Sequence, residues 1–386
     1  MIIFLAVALS VYSLINFYIG RRGWQAWTGA GLPGWIFIGV IVFMVAAYPL
    51  GRFLEHGLHA GAGGVFLQVG SFHFAVMLYG FLLVLIVDIL RLADRLFHFF
   101  PAFVHLHPSR AGAWTLAGVG GLILVIALGG YLNALRPRIH ALSVTIPKPS
   151  GAIKGLRIAV ASDIHLGTII RNSRLSRIVE MINDLNPDIV LLPGDLVDES
   201  VPAEEEEKMT ATLASIRAPL GVYAVSGNHE YYGGIAKNRE YVKRAGVRLL
   251  EDEAVIIADA FVVAGRVDPT AARFGQARKS LAAILGGVDR RRPILLLDHQ
   301  PFRLGEAESN GVDLQVSGHT HAGQLFPLNL INKGIYEQNW GYWRRGATQY
   351  YVSCGVGTWG PPIRTGSRPE IVLIEASFGP DESDHH

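Results

Sequence analysis

The first 135 residues contain four long runs without a charged side chain, and these runs constrain the fold more than any other feature. A helix needs roughly 20 apolar residues to cross a bilayer, and every run is long enough for one crossing. Half of the 386 residues are hydrophobic and only 17% are charged, which is too apolar for a wholly soluble protein. We therefore predict a four-helix transmembrane region over residues 1–135. The predicted helices are 2–20, 35–54, 65–90 and 113–133.

Basic residues beside these helices bear on the side of the membrane that the C-terminal part occupies. Five flank the first and third loops, and four lie on the opposite side. Because cytoplasmic loops are enriched in Lys and Arg, the count favours a multi-pass cell-membrane protein with an extracytoplasmic C-terminal domain; the cytoplasmic face is the alternative. The two groups are Arg21, Arg22, Arg91, Arg95 and Arg110, and Arg52, Arg136, Arg138 and Lys148.

Six histidines of the membrane half are interpreted as interfacial residues and not as a second metal site. Most lie near predicted helix ends, where an amphipathic ring is comfortable, and we expect no acidic partners. His73 lies deeper, and an ionisable residue inside a span is a functional candidate. The six residues are His56, His59, His73, His98, His105 and His107.

Beyond the spans, the pattern predicts a linker at 136–153, an α/β domain at 154–377 and a polar tail at 378–386. Within the linker, Ile139–Thr145 has the alternation of an edge strand. Helical spacing of apolar residues at 175–185 and an acidic helix start at 204–207 separate short apolar runs. The predicted strands are 156–161, 189–192, 221–225, 254–257, 261–264, 294–297, 314–316, 349–352 and 370–374.

Five polar clusters follow predicted strands directly. In open α/β sheets, ligands bind outside the carboxyl ends of the strands, so we expect these clusters to converge. Carboxylates, neutral imidazoles and an amide oxygen form a mixed ligand set that suits Mn, Fe or Zn, and there are enough for two ions. The clusters are Ser162–His165, Gly194–Asp198, Gly227–Glu230, Asp298–Pro301 and Gly318–His321.

In order, these clusters read Asp-x-His, Gly-Asp-x-x-Asp, Gly-Asn-His-Glu, a lone His after a strand, and Gly-His-x-His. Together they resemble the five blocks of the calcineurin-like metallophosphoesterases, and the resemblance spans about residues 155–375. The segment Gly357–Arg364 resembles the tail of a bacterial, membrane-anchored branch. The resemblance implies two central β-sheets flanked by helices, in a four-layer sandwich.

The resemblance also implies roles for nine residues and a pair of divalent ions. Asp163, His165 and His321 would hold the first ion, and Asn228, His299 and His319 the second, with Asp195 as the bridge. The catalytic residues would be His229, which would face the scissile phosphate, and Asp198, which would orient that imidazole.

The implied activity is that of a membrane-anchored, binuclear-metal phosphoesterase. It would hydrolyse a phosphodiester or pyrophosphate in a lipid-linked substrate, through a metal-bridging hydroxide. Leu325–Ile331 is expected to be an apolar lip facing lipid, with ordinary packing as the alternative. The expected partners are a phosphoester substrate and membrane lipids, without nucleic acid.

Two other functions stay open. One is a pyrophosphatase that cleaves UDP-diacylglucosamine in lipid A synthesis, an activity of similar proteins that requires a cytoplasmic catalytic domain. The other is an inactive membrane sensor or scaffold. The complete ligand set argues against the scaffold, because a decayed site usually loses a ligand first.

Overall fold

The uncharged runs at the N-terminus form long helices, as the sequence predicts. They are seen in a computed structural model of the chain, which describes residues 2–55, 60–198, 201 and 203–379. The chain divides into two units, of which the first ends at Tyr131 and also includes residues 360–363. The N-terminal helices are α1 (Ile2–Gly29), α2 (Gly34–Glu55), α3 (Ala60–Phe97), α4 (Ala102–Leu106) and α5 (Pro108–Ala134).

Within the described residues, three helices are long and apolar enough to cross a membrane, judged by length and composition. Helix α1 is not among them; it runs on past its apolar part to Gly29 and includes Arg21 and Arg22. The first predicted span therefore stays a prediction. The three candidate spans are Gly34–Leu54, Ala62–Phe97 and Pro108–Ala134.

Glycines allow α2 and α3 to approach each other closely. A Cβ atom added at Gly70 would meet the backbone of Tyr48, and one added at Gly51 would lie 2.7 Å from the backbone nitrogen of Leu67. Lipid offers no hydrophobic driving force between helices, so their association depends on close contact at small residues. These two glycines are therefore part of what holds the helix pair together.

The histidines of the membrane half have different surroundings. His73 is 4% exposed, and its Nε2 atom lies 2.9 Å from Oδ1 of Asn16, which gives the ring a neutral partner. The expectation of no acidic neighbour is wrong for His105, because its Nε2 atom lies 3.4 Å from Oδ2 of Asp94. The short helix α4 brings His105 back towards that carboxylate. His56 and His59 lie outside the described residues.

The second unit begins at Leu132 and contains two six-stranded sheets. The first sheet has the order β1-β12-β2-β3-β4-β5 and the second has the order β10-β11-β9-β8-β7-β6. The strands are β1 (Arg138–Ile146), β2 (Gly155–Val160), β3 (Ile189–Pro193), β4 (Val222–Val225), β5 (Arg248–Leu249), β6 (Glu253–Ile257), β7 (Phe261–Gly265), β8 (Ile294–Leu297), β9 (Leu314–Ser317), β10 (Gly341–Arg345), β11 (Thr348–Val352) and β12 (Glu370–Phe378).

Seven α-helices and two short 3-10 helices complete the described part of this unit. They are α6 (Asn172–Asp184), α7 (Ala203–Ala214), α8 (Asn228–Tyr232), α9 (Ile235–Arg244), α10 (Leu281–Ile284), α11 (Gly305–Ser309) and α12 (Leu328–Ile335), with short 3-10 helices at Pro269–Phe274 and His321–Gly323. One core lies between the sheets and buries residues of both, including Leu191 and Leu297. A second core packs the first sheet against α6, α7 and α9, and a third packs the second sheet against α10 and α11. The predicted four-layer sandwich is confirmed.

The predicted edge strand is also confirmed. Strand β1 pairs with β12 in parallel at the edge of the first sheet, from Arg138 opposite Glu370 to Ile146 opposite Phe378. Its polar side chains face outwards, while Val144 and Ile146 are buried in the core between the sheets. The segment that follows the last membrane helix is therefore part of the catalytic fold and contributes to its core.

Candidate metal centre

Loops that follow five strands carry all nine predicted site residues. Strands β2, β3 and β4 are parallel neighbours in the first sheet, and β8 and β9 are parallel neighbours in the second. Parallel strands end at the same edge of a sheet, so the loops that follow them meet there. These loops carry Asp163 and His165 after β2, Asp195 and Asp198 after β3, Asn228 and His229 after β4, His299 after β8, and His319 and His321 after β9.

Asp163, His165 and His321 form what we call the first ligand set. The Nε2 atoms of His165 and His321 are 3.1 Å apart, and Oδ1 of Asp163 lies 3.6 Å from Nε2 of His321. One potential ligand atom from each residue lies within 4.8 Å of the other two. All three side chains are buried, so they could replace most of the water around a bound cation.

Asn228, His299 and His319 form the second ligand set. Oδ1 of Asn228 lies 3.2 Å from Nε2 of His299 and 2.9 Å from Nδ1 of His319. Oδ2 of Asp195 lies 3.1 Å from Nε2 of His299 and 3.9 Å from Nε2 of His165 in the first set. The Asp195 carboxylate is therefore within reach of both sets.

His229 lies at the edge of the first ligand set and faces a carboxylate of its own. Its Nδ1 atom is 2.8 Å from Oδ1 of Asp198, and its backbone N–H donates to Oδ1 of Asp195 at 2.9 Å. Its ring centroid is 4.7 Å from that of His165. With Nδ1 directed at Asp198, the Nε2 atom of His229 is the ring nitrogen that can meet a substrate.

The backbone at this centre is strained where the ligands lie. Five of the predicted ligand residues have positive φ angles. Positive φ angles are rare for residues other than glycine and cluster at functional sites. Glycines keep the space next to two carboxylates open, because a Cβ at Gly318 would meet Oδ2 of Asp163, and one at Gly227 would meet Oδ1 of Asp195. The strained residues are Asp163 (φ 52°), His165 (53°), Asp195 (52°), His319 (69°) and His321 (48°).

Burial and neighbouring charges separate the protonation states of these groups. Burial alone would raise the pKa of Asp195, but the surrounding imidazoles, above all His299, hold it well below its usual value. Burial opposes protonation of His229, yet the charge of Asp195 and the hydrogen bond to Asp198 raise its pKa to about 9. Burial and then the charge of His299 lower the pKa of His319 to about 3. Burial and neighbouring charges thus move the pKa values of adjacent groups in this centre in opposite directions.

Arg364 is a buried guanidinium behind the first ligand set, and no role was predicted for it from the sequence. Its Nη2 atom lies 3.1 Å from Nδ1 of His321 and donates to the carbonyl oxygens of Gly355 and Gly357, at 3.1 and 2.7 Å. The loop it holds also bonds to the Asp163 strand end, because the Gly357 N–H donates to the Asp163 carbonyl at 2.9 Å. Arg364 therefore connects two loops that supply the first set.

Glu230 likewise connects two loops of the centre, those that follow β3 and β4. Its carboxylate accepts from the backbone N–H groups of Gly227, Val197 and Asp195, at 2.6, 2.9 and 3.2 Å. Burial, followed by the charge of Asp195, raises the pKa of Glu230 to about 7. Glu230 was part of the Gly-Asn-His-Glu cluster in the sequence, but its position between the loops after β3 and β4 depends on the sheet.

The donor chemistry of the centre fits divalent cations. The Oδ2 atom of Asp163 is buried without a hydrogen-bond partner. Two imidazole nitrogens, from His165 and His321, face each other at 3.1 Å, a contact that needs a shared proton or a cation. Mixed oxygen and nitrogen donors without thiolate suit Mn, Fe or Zn.

Comparisons with known proteins identify the family. The sequence profile of the calcineurin-like phosphoesterases matches residues 156–323. A protein of Aquifex aeolicus described as an uncharacterized metallophosphoesterase is 34% identical over 259 residues, which cover 66% of this chain and 97% of that protein. This chain therefore belongs to the calcineurin-like metallophosphoesterases.

Two further relatives are longer than the matched region. An uncharacterized metallophosphoesterase of Helicobacter pylori is 33% identical over 254 residues, which cover 64% of this chain and 65% of that protein. A zebrafish (Danio rerio) protein named "Transmembrane protein with metallophosphoesterase domain" is 34% identical over 263 residues, which cover 65% of this chain and 60% of that protein. The three candidate spans and this transmembrane relative indicate a membrane protein.

Proposed function

We propose that this protein is a membrane-anchored phosphoesterase that holds two divalent cations and hydrolyses a phosphodiester or pyrophosphate bond in a lipid-linked substrate. The observation that carries the proposal is the arrangement of two ligand sets around Asp195, with the His229–Asp198 pair beside them. A pair of divalent cations held by two such ligand sets would supply the chemistry of phosphoester hydrolysis, because the cations would polarise the phosphate and lower the pKa of a nearby water.

Seven residues would hold the cations. Asp163, His165 and His321 would bind one cation, and Asn228, His299 and His319 would bind the other. Asp195 would bridge them, which its distances to His299 and His165 support. The glycine next to each carboxylate supports the same roles, since it leaves the carboxylate close to the backbone of a neighbouring loop.

His229 would act as the general acid. Asp198 fixes its Nδ1 atom, so the proton for the leaving oxygen would come from Nε2. The raised pKa keeps this imidazole protonated near neutral pH, as a proton donor requires. Bound cations would lower that pKa, because they repel the imidazolium.

Exposed apolar side chains on and before α12 support a lipid-linked substrate. This helix follows the His319–His321 loop, and none of its residues is buried. Of the predicted lip, Leu325 is buried and packs inside, whereas Phe326, Leu330 and Ile331 are 51%, 57% and 61% exposed. Exposed apolar surface of this kind marks an interaction site more often than a random surface does, and a chain with candidate membrane spans acts where lipid is available.

The test compares hydrolysis at a membrane with hydrolysis in solution. Ile331→Gln should lower the rate on a phosphodiester lipid in vesicles about tenfold, because one apolar contact with the bilayer is lost. The same variant should keep its rate on soluble bis(4-nitrophenyl) phosphate. Ile256→Gln is the matched control, since Ile256 is an isoleucine of β6 that is 58% exposed.

Each outcome has a defined meaning. Equal losses in Ile331→Gln and Ile256→Gln would remove the lipid part of the proposal. If the metal-loaded wild type hydrolysed neither substrate, the enzyme proposal itself would fail in favour of a sensor or scaffold.

The side of the membrane is a separate proposal. The count of basic residues supports an extracytoplasmic catalytic domain. Alkaline phosphatase fused to the C-terminus should therefore be active, since this reporter folds only outside the cytoplasm. An inactive fusion that is present at normal amounts would instead place the domain in the cytoplasm.

A further inference from the structure

Two exposed aromatic side chains lie next to His229, a third lies next to one of them, and none of the three belongs to a ligand set. The ring centroid of Trp359 is 5.9 Å from that of His229, and the centroid of Tyr232 is 5.8 Å from it. Phe274 extends the cluster, at 6.3 Å from Tyr232. The three side chains are 57%, 50% and 52% exposed, so each presents an apolar ring to solvent beside a buried polar centre.

The rings are held on fixed backbone. The side-chain amide of Gln324 accepts from the Trp359 N–H at 3.0 Å and donates to the Trp359 carbonyl at 2.8 Å. Tyr232 is the last residue of α8, the short helix that begins at Asn228 in the second ligand set. An anchor positioned before binding loses less freedom when a ligand arrives. The backbone of both residues is thus prepared for contact with a ligand.

The position of these rings relative to the proposed acid determines what they can touch. A leaving oxygen that takes a proton from His229 lies within hydrogen-bond distance of its Nε2 atom. The organic group on that oxygen is one bond further away, within reach of rings whose centroids are less than 6 Å from the imidazole. Aromatic faces and edges favour apolar or planar groups.

We propose that Trp359, Tyr232 and Phe274 form a subsite for an apolar organic group on the leaving oxygen of the substrate. This subsite rests on the proposed acid role of His229 and adds a selectivity that cations alone do not supply. Alkyl chains and aryl rings share the apolar character it recognises.

A second aromatic pair provides an internal control. Tyr336 lies 6.1 Å from His319, between ring centroids, and Phe302 stacks on Tyr336 at 5.0 Å. Phe302 is 44% exposed, close to the value for Phe274. This pair lies beside the second ligand set and not beside the proposed acid, so its removal should not change selectivity for the leaving group.

The kinetic test uses the full-length, metal-loaded protein and two methyl phosphodiesters whose leaving groups are equally acidic. One leaving group is an aryl ring and the other is a small fluorinated alkyl group. The wild type should prefer the aryl substrate about tenfold in kcat/KM, since one ring is buried on binding. Trp359→Ala and Tyr232→Ala should remove most of this preference through KM, while Phe302→Ala keeps it. An unchanged preference in both variants, or equal loss in Phe302→Ala, would overturn the subsite.

A binding test does not depend on turnover. Methyl, octyl and benzyl phosphonate are titrated by calorimetry into the wild type, Trp359→Ala and the milder Trp359→Phe, each with its metal content measured. The wild type should bind octyl or benzyl phosphonate about tenfold more tightly than methyl phosphonate. Whichever of the two binds more tightly shows whether the subsite prefers an alkyl chain or an aryl ring. Trp359→Ala should lose this difference and Trp359→Phe should keep part of it.

Failure of the subsite and failure of the enzyme proposal give different results. Equal affinity of the wild type for all three phosphonates at full metal content would overturn the subsite, whatever the activity. A graded affinity that Trp359→Ala abolishes would support it, even in a protein without turnover.

Discussion

The two ligand sets differ in charge and in what lies behind them. The first set contains the carboxylate of Asp163 and has the guanidinium of Arg364 against His321. The second set has the neutral amide of Asn228 in place of a carboxylate, and Nδ1 of His299 faces the carbonyl oxygen of Pro193 at 2.8 Å. The more anionic set is therefore the one with a buried cation behind it.

This difference indicates how the centre balances charge. A buried guanidinium is costly unless it is well bonded and offset by an anion. Arg364 is fully buried, its donors face carbonyl oxygens and Ser367, and the charge of Asp163 is among those that favour its protonated form. The carbonyl behind His299 instead strengthens a metal-binding imidazole by accepting its N–H. A cationic donor thus lies behind the imidazole of the first set, and a neutral acceptor lies behind that of the second.

The largest expected effect comes from the residue that the two sets share. Asp195→Asn should weaken both cation sites and lower the rate at least about a thousandfold, because the bridging negative charge is lost. Elemental analysis and the rate on a soluble diester measure the two effects. Asp313→Asn is the control, since Asp313 is a buried carboxylate that pairs with Lys148 away from the centre. Full occupancy in Asp195→Asn would contradict the bridging role.

The next effect concerns proton donation by His229, which belongs to neither ligand set. His229→Ala should keep its cations and lose about a hundred- to ten-thousandfold in rate, as expected for a general acid. The loss should be smaller for a nitrophenolate leaving group than for an alkoxide, because a nitrophenolate needs no proton. Equal losses for both leaving groups would remove His229 from the acid role, and His140→Ala serves as a control on an exposed histidine.

The proposed role of His229 as an acid also predicts how the rate depends on pH. An acid must carry its proton, so the rate should fall as pH rises through the pKa of His229. That pKa is raised to about 9 by Asp195 and Asp198, and bound cations move it downwards. The alkaline decrease in rate should therefore be present in the wild type and absent in His229→Ala.

The sequence predicted the strands of this fold unevenly, for physical reasons. Buried strands such as β3 and β8 are continuous apolar runs, and these were found within a residue or two. Strand β10 (Gly341–Arg345) escaped because Trp343 alone packs against a core, next to the exposed residues Tyr342, Arg344 and Arg345. Strand β5 has only two residues and no pattern to detect.

The nine residues proposed to bind cations or act in catalysis could be predicted from the sequence, whereas the residues around them could not. All nine residues named from the five clusters lie together, because short loops after parallel strands leave them few other positions. Arg364 and Glu230 received no role, since a buried charge is recognised only by the loops that meet around it. Trp359 lies in the segment Gly357–Arg364 that the sequence singled out, but it received no role, because its distance to His229 depends on a loop more than 120 residues away in the sequence.

Arg364 offers a smaller effect that should separate the two sets. Arg364→Gln should weaken cation binding at the first set about ten- to a hundredfold, as loss of a supporting partner does, and leave the second set nearly unchanged. Arg364→Lys should recover little, because a compact ammonium on a flexible stem lacks the planar, spread-out donors with which the guanidinium reaches Gly357, Ser367 and His321 at once. Calorimetric titration of the metal-free protein resolves the two affinities, with Arg157→Gln as a surface control. Tighter binding in Arg364→Gln would mean that the guanidinium only balances charge.

The smallest expected effects come from two glycines, one beside each set. A Cβ at Gly318 would meet Oδ2 of Asp163 in the first set, whereas a Cβ at Gly194 would lie 2.5 Å from Nδ1 of His299 in the second. Gly318→Ala should therefore weaken the first site and Gly194→Ala the second, each by roughly tenfold, since small displacements of a ligand cost little compared with its loss. Gly194 also has a φ of 90°, so Gly194→Ala should cost about 1–2 kcal/mol of stability in addition. Thermal unfolding without metal isolates that backbone cost, and metal titration then reports the site that each substitution affects. If both variants weakened the same site, the two ligand sets would not be separate units.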